Sequence, residues 1–173
     1  MTSKARVPLK PLDAALAELL ARALPLAGSD RVSTFDADGR VLVQAAISPL
    51  QVPPQDNSAM DGYGVRRADI TAAGVELPVS QRIAAGQSGA PLAAGTAARI
   101  FTGAPVPAGA DAIVMQEDCE ALADGARVRI NAVPAAGQWI RRAGEDITLG
   151  TQVLAAGTRL TPAALGLAAS IGL

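Results

Sequence analysis

Apolar residues recur at helical spacing most clearly in LDAALAELLARAL, residues 12–24. Leu12, Leu16, Leu19, Leu20, Ala23 and Leu24 fall on one face, which predicts an amphipathic helix. Pro11 suits a first-turn position, Asp13 suits the positive helix start, and Pro25 closes the far end. Residues 1–10 read as a loose end. A turn-rich passage, GSDRVSTFDADGR, holds a short predicted strand at 31–35, and residues 41–47 are apolar and β-branched enough for another. The next stretch, SPLQVPPQDNSAMDG, has three prolines and no period, and reads as an extended connection and a domain boundary.

From residue 63 to about residue 142 the pattern changes to short apolar runs separated by Gly, Pro and Asp. The runs cover 77–83, 97–101, 112–116, 127–130 and 138–141. Strands of this length and spacing predict a small barrel or sandwich. Residues 152–154 and 159–160 follow, with a turn at 155–157. Thr161-Pro162 then opens a helix, PAALGLAAS, with Thr161 as N-cap and Pro162 at the first helical position. Ala164, Leu165, Leu167, Ala168 and Ile171 give that helix an apolar face. Either the first helix covers it or the protein continues beyond Leu173.

Composition narrows the chemistry. The chain has 173 residues, half of them hydrophobic and 18% charged, which excludes general disorder. Alanine accounts for 38 residues and aromatics for four, so the core is built from small pieces. Fifteen basic and sixteen acidic residues leave a net charge of −1, which argues against bulk attraction to nucleic acid or anionic lipid. There is no histidine, so Ser-His-Asp and Cys-His catalysis and His-liganded zinc are excluded. Cys119 is the single cysteine and reads as a small buried hydrophobe. No signal-peptide run or bilayer-length apolar stretch is present, so a cytoplasmic protein is expected.

Three segments are unusual for packing alone. In Asp56-Asn57-Ser58-Ala59-Met60-Asp61-Gly62-Tyr63-Gly64, two carboxylates, an amide, a hydroxyl and two glycines crowd together. On these residues alone a tight turn is the simpler reading. In the loop from Ile100 to Asp111, a strand delivers Thr102 into a turn stiffened by Pro105 and Pro107. Gly103 and Gly109 there let backbone amides approach an oxyanion, and a plain hairpin connection explains the loop equally well. Arg141-Arg142-Ala143-Gly144-Glu145-Asp146 places paired arginines beside paired carboxylates. Such a set can hold a phosphate and a hard cation together, although a self-neutralising surface cluster is the commoner case.

Taken in order and at these spacings, DNSAMDGYGVR, RIFTGAPVPAGADAIVMQED and RRAGEDI resemble the molybdopterin molybdenumtransferases, the MoeA-type family that includes the C-terminal domain of gephyrin. The resemblance covers about residues 12–173 and extends to DGRVLVQAAISP and LTPAALGLAASIGL. It implies an α+β, two-lobed fold. An elongated helix-bearing α/β domain would come from residues 1–50 and 145–173, and an inserted β-barrel-like domain from residues 51–144. It also implies a homodimer and a reaction in which adenylylated molybdopterin and molybdate give the molybdenum cofactor with release of AMP, helped by Mg²⁺. The upstream molybdopterin adenylyltransferase is a further implied partner.

Carried over by motif, Asp61, Thr102 and Asp146 are the implied catalytic residues, and Ser58, Gly103, Arg141 and Arg142 the implied substrate-binding ones. Asp61, Asp146 and Glu145 are the implied metal ligands. Gly64 stands where the family usually has Ala, a change expected only to loosen a turn. Nothing matches the family's molybdopterin-binding domain, so the chain reads as an N-terminal half, expected to be inactive alone. The alternative is a non-catalytic dimerisation or interaction scaffold derived from the family. A carbohydrate- or peptide-binding β-domain is disfavoured by the scarcity of aromatics.

Overall fold

The computed structural model describes residues 9–24 and 28–173. These residues are mostly β, with two α-helices. The chain divides into two compact units, Met1–Ser33 and Thr34–Leu173.

The first unit holds α1, Leu12–Ala21. Pro11 is its N-cap, in an extended conformation, and its carbonyl accepts the first helical bond from Ala15 N at 3.0 Å. That is one position earlier than a first-turn proline, because Pro11 keeps a non-helical ψ of 147°. Glu18 pairs with Lys10 and, at 2.9 Å, with Arg22. No residue of α1 is buried, and Leu12, Leu16, Leu19 and Leu20 are all exposed. The stop expected at Pro25, and residues 1–8 of the expected loose end, lie outside the described residues.

The second unit contains ten short strands: β1 Ala46–Ile47, β2 Asn57–Ser58, β3 Gly62–Val65, β4 Val75–Ile83, β5 Ala97–Ile100, β6 Ala112–Met115, β7 Cys119–Leu122, β8 Arg127–Ile130, β9 Ile140–Arg141 and β10 Gln152–Leu154. Helix α2, Pro162–Ser170, follows. Thr161 caps α2 as its hydroxyl oxygen accepts from Ala164 N at 3.3 Å, with Pro162 in the first turn. The helix lies against β10 and a 3₁₀ turn, Thr34–Asp36, and buries Ala168. That turn replaces the strand expected at 31–35. The strand expected over 41–47 shrinks to β1 and one bridge, Val41 to Arg159. Backbone bonds nevertheless join residues 39–52 to residues 147–160 along much of their length, from Leu160 N to Arg40 O down to Val52 N to Ile147 O.

A six-stranded sheet in the order β6-β3-β5-β4-β8-β7 forms the rest. Only β4 and β5 run parallel. Alternation along β8 shows why it forms: Val128 and Ile130 are buried, while Arg129 points outward between Glu76 and Glu120 on the flanking strands. Such exposed pairs set register more than they stabilise. One apolar cluster takes Tyr63, Val65, Ala97, Val114, Val128 and Ile130, and a second takes Ile83, Ala98, Ile100, Ala104 and Ile113. Alternate residues of β5 and β6 divide between the two, and every residue of β3 is buried, so these strands are covered on both faces and show no period in sequence. Gly64 therefore lies inside β3, paired with Ala98 and Ile113, and not in a turn. Cys119, half-buried on β7, has its thiol pushed up to about 12, by burial first and then by Asp118.

Candidate functional site

The stretch Asp56–Asp61 is a strip of backbone with a different partner on each edge. On one edge β2 pairs antiparallel with β9, Asn57 opposite Arg141 and Ser58 opposite Ile140. Toward the other, Ser58 N donates to Ala104 O and Gly103 N to Ser58 O, each at 2.9 Å, and Val106 N donates to Asp56 O at 2.9 Å. The three unusual segments, separated by some forty residues each, are thus laced into one surface. Neither two-residue strand carries a readable period, so this pairing had no signal in the sequence.

At one end of the strip, Asp61 Oδ1 accepts from Thr102 N at 2.8 Å and from Thr102 Oγ1 at 2.7 Å. The Thr102 backbone N–H, then its hydroxyl, hold the Asp61 carboxyl below the ordinary carboxylate range, and the nearby Arg99 charge adds to this. Oδ2 of Asp61 has no hydrogen bond among the described residues. The Arg99 guanidinium donates to Gly62 O at 2.9 Å and to Gln116 Oε1 at 2.7 Å.

At the other end, Asp56 clamps the third segment. Its Oδ1 accepts from Ala143 N at 2.9 Å and its Oδ2 from Arg142 Nη1 at 2.6 Å. The Ala143 N–H and the Arg142 charge hold the Asp56 carboxyl low, against the opposing effect of burial. Arg141 Nη2 donates to both oxygens of Asp146 at 2.6 Å, and that pairing raises the guanidinium's affinity for its proton. Glu145 accepts from Arg142 N at 2.9 Å. Trp139, at the lip of this segment, adopts a φ of +55°, a conformation uncommon for a bulky residue, while its carbonyl accepts from Ala59 N at 2.9 Å.

Asp61, Thr102 and Gly103 therefore come together, as do Arg141, Arg142, Glu145 and Asp146. No hydrogen bond or ion pair joins the two groups among the described residues. Ser58 is buried, and its hydroxyl donates to Met60 O at 2.6 Å, which commits it to the bend before Asp61. The Gly103 amide is likewise committed to Ser58. The sequence places Asp56 in the first unusual segment without a role, and it does not mark Arg99. The Arg-x-Phe alternation at 99–101 was the available signal for Arg99.

No three His, Cys, Asp or Glu side chains among the described residues converge as a metal cage. Mg²⁺ needs only one or two protein carboxylates where phosphates complete its shell. Asp61 Oδ2 suits that limited part, whereas Glu145 and Asp146 already face arginines.

A family model described as "MoeA N-terminal region (domain I and II)" matches residues 10–172. This chain belongs to that family. It is 43% identical over 156 residues to a molybdopterin molybdenumtransferase of Synechococcus elongatus, an alignment covering 87% of the chain and 38% of the relative. It is 48% identical over 147 residues to molybdopterin molybdenumtransferase 2 of Mycobacterium tuberculosis, covering 82% of the chain and 36% of the relative. The chain thus spans well under half the length of these curated relatives. Its structure is similar to that of a molybdopterin biosynthesis MoeA protein from Pyrococcus horikoshii OT3, with a TM-score of 0.88 and 32% identity over 95% of this chain and 44% of that one. The MoeA-like fold accounts for a β-dominated chain. Among the described residues no helix is long and apolar enough to cross a membrane.

Proposed function

We propose that this chain supplies the loop-bearing part of a cytoplasmic molybdenumtransferase, which combines adenylylated molybdopterin with molybdate and releases AMP. The observation that carries the reading is the Asp56–Asp61 strip, which gathers the three segments on one surface and ends at the Asp61–Thr102 pair. Asp61 is already ionised and held by Thr102, so its second oxygen can position a cation or a substrate hydrogen-bond donor without reorganising. Mg²⁺ held there beside substrate phosphates would neutralise charge developing on them. Arg141 and Arg142, held by Asp146, Glu145 and Asp56, present guanidinium edges suited to phosphate. Asp146 and Glu145 join a metal only by releasing those arginines. Residues 51–144 serve as the inserted β-rich lobe, and the exposed leucines of α1 support a homodimer.

The 173 residues alone do not complete the reaction, since half a site forgoes the positioning that lowers the barrier. The test is a chimera in which this chain replaces the matching segment of the Synechococcus relative. The chimera should form molybdenum cofactor from adenylylated molybdopterin and molybdate. A folded chimera with no product would refute the reading.

A further inference from the structure

Arg82 and Arg99 are direct register partners on the parallel strands β4 and β5. Their neighbours Ile83 and Ile100, also partners, are buried, so both arginines leave the sheet on its other face. There both guanidiniums sit over one ring, Phe101, at 4.4 and 4.5 Å from its centroid. Like charges placed directly opposite on adjacent strands repel. The negative face of the ring offsets part of that repulsion.

The two arginines differ in what else they do. Arg99 bonds Gly62 O and Gln116, and stacks on Tyr63 at 5.2 Å, so packing accounts for it. Arg82 is exposed, and among the described residues it makes no hydrogen bond or ion pair. By contrast, Arg127, Arg129, Arg141 and Arg142 each meet a carboxylate. A stacked guanidinium keeps its planar orientation while its N–H edge stays available, which is how arginine recognises a tetrahedral oxyanion. The position adds to this. Phe101 is followed directly by Thr102, whose N–H and hydroxyl hold Asp61.

We infer that Arg82, braced on Phe101 beside Arg99, is an oxyanion-binding residue at the rim of the Asp61–Thr102 pair, taking a tetrahedral dianion of the molybdate or phosphate type. The inference rests on the proposed function only for the identity of that anion. Binding of the anion is a property of this chain and needs no turnover.

The test is a titration of the 173-residue chain, followed by NMR of its arginine side-chain N–H groups. Molybdate and inorganic phosphate are added separately, with chloride at matched ionic strength as the control. Saturable shifts at Arg82 with either dianion, absent with chloride, are expected. A response to molybdate alone would identify the metal oxyanion as the ligand, and a response to phosphate alone the phosphoryl group. Arg82→Ala should weaken binding about tenfold, from loss of charge-assisted hydrogen bonds, with an unchanged melting temperature. Arg159→Ala, an equal loss of charge elsewhere, should bind as the parent does. Absence of saturable shifts, or an Arg82→Ala variant that binds like the parent, overturns the inference. An inactive chimera alongside intact anion binding would instead sink the proposed function and leave this assignment standing.

Discussion

A Cβ on Gly62 would lie 2.0 Å from the Val114 carbonyl oxygen, whereas one on Gly64 would meet only ordinary contacts, the nearest at 3.6 Å. Both glycines sit in β3, two residues apart, yet only Gly62 is needed for the close approach of β6. Gly62→Ala should therefore destabilise by about 3 kcal/mol or more, because backbone must move. Gly64→Ala should be neutral or stabilise by up to about 1 kcal/mol, since it restricts the unfolded chain where the folded one has room. Paired urea melts decide this, and equal effects of the two substitutions would contradict it. The same open space explains why β3 accepts either Gly or Ala at position 64.

Among the elements, β2 and β9 matter most to the site and, at two residues each, have little stability of their own. Asp56 reinforces their pairing by holding Ala143 N and Arg142. Its folded-state carboxyl is held below the ordinary range, so its contribution is fully present above the unfolded value of about 4. That contribution is lost as pH falls through the lower folded value. Asp56→Asn should melt below the parent at neutral pH, and the gap should close as acid protonates the parent's carboxylate. A gap that is constant, or that widens in acid, would remove Asp56 as a charged clamp. Legibility followed the same physics. Strand β8 coincides with the short apolar run expected at 127–130. Helix α2 was read from Thr161-Pro162, and β10 from its bounding turns. Strand β3, buried on both faces and half glycine, carried no period. Bridges as short as β2 and β9 cannot carry one. The α1 face was read correctly as apolar, yet periodicity does not say what covers it, and its leucines are exposed.

For the whole molecule, Asp61 and Thr102 lie 41 positions apart, and nothing local in either segment specifies the other as its partner. The family resemblance named both, and the fold brings them to 2.7 Å. The sequence places Asp56 in the first unusual segment without a role for it and gives no sign of Arg82, because a carboxylate in a turn and an arginine on a strand are individually ordinary. The proposed function requires Asp61 to act on the reaction and not merely on the loop. The most direct measurement is cofactor formation by the chimera carrying Asp61→Asn, with its thermal melt recorded alongside. Asn keeps the shape and an acceptor for Thr102 but removes the charge. Turnover should fall on the order of 100-fold, with the melting temperature held within about 2 °C, a shift too small for a large loss of stability. Parental turnover, or a loss of turnover only in step with melting temperature, would contradict the account.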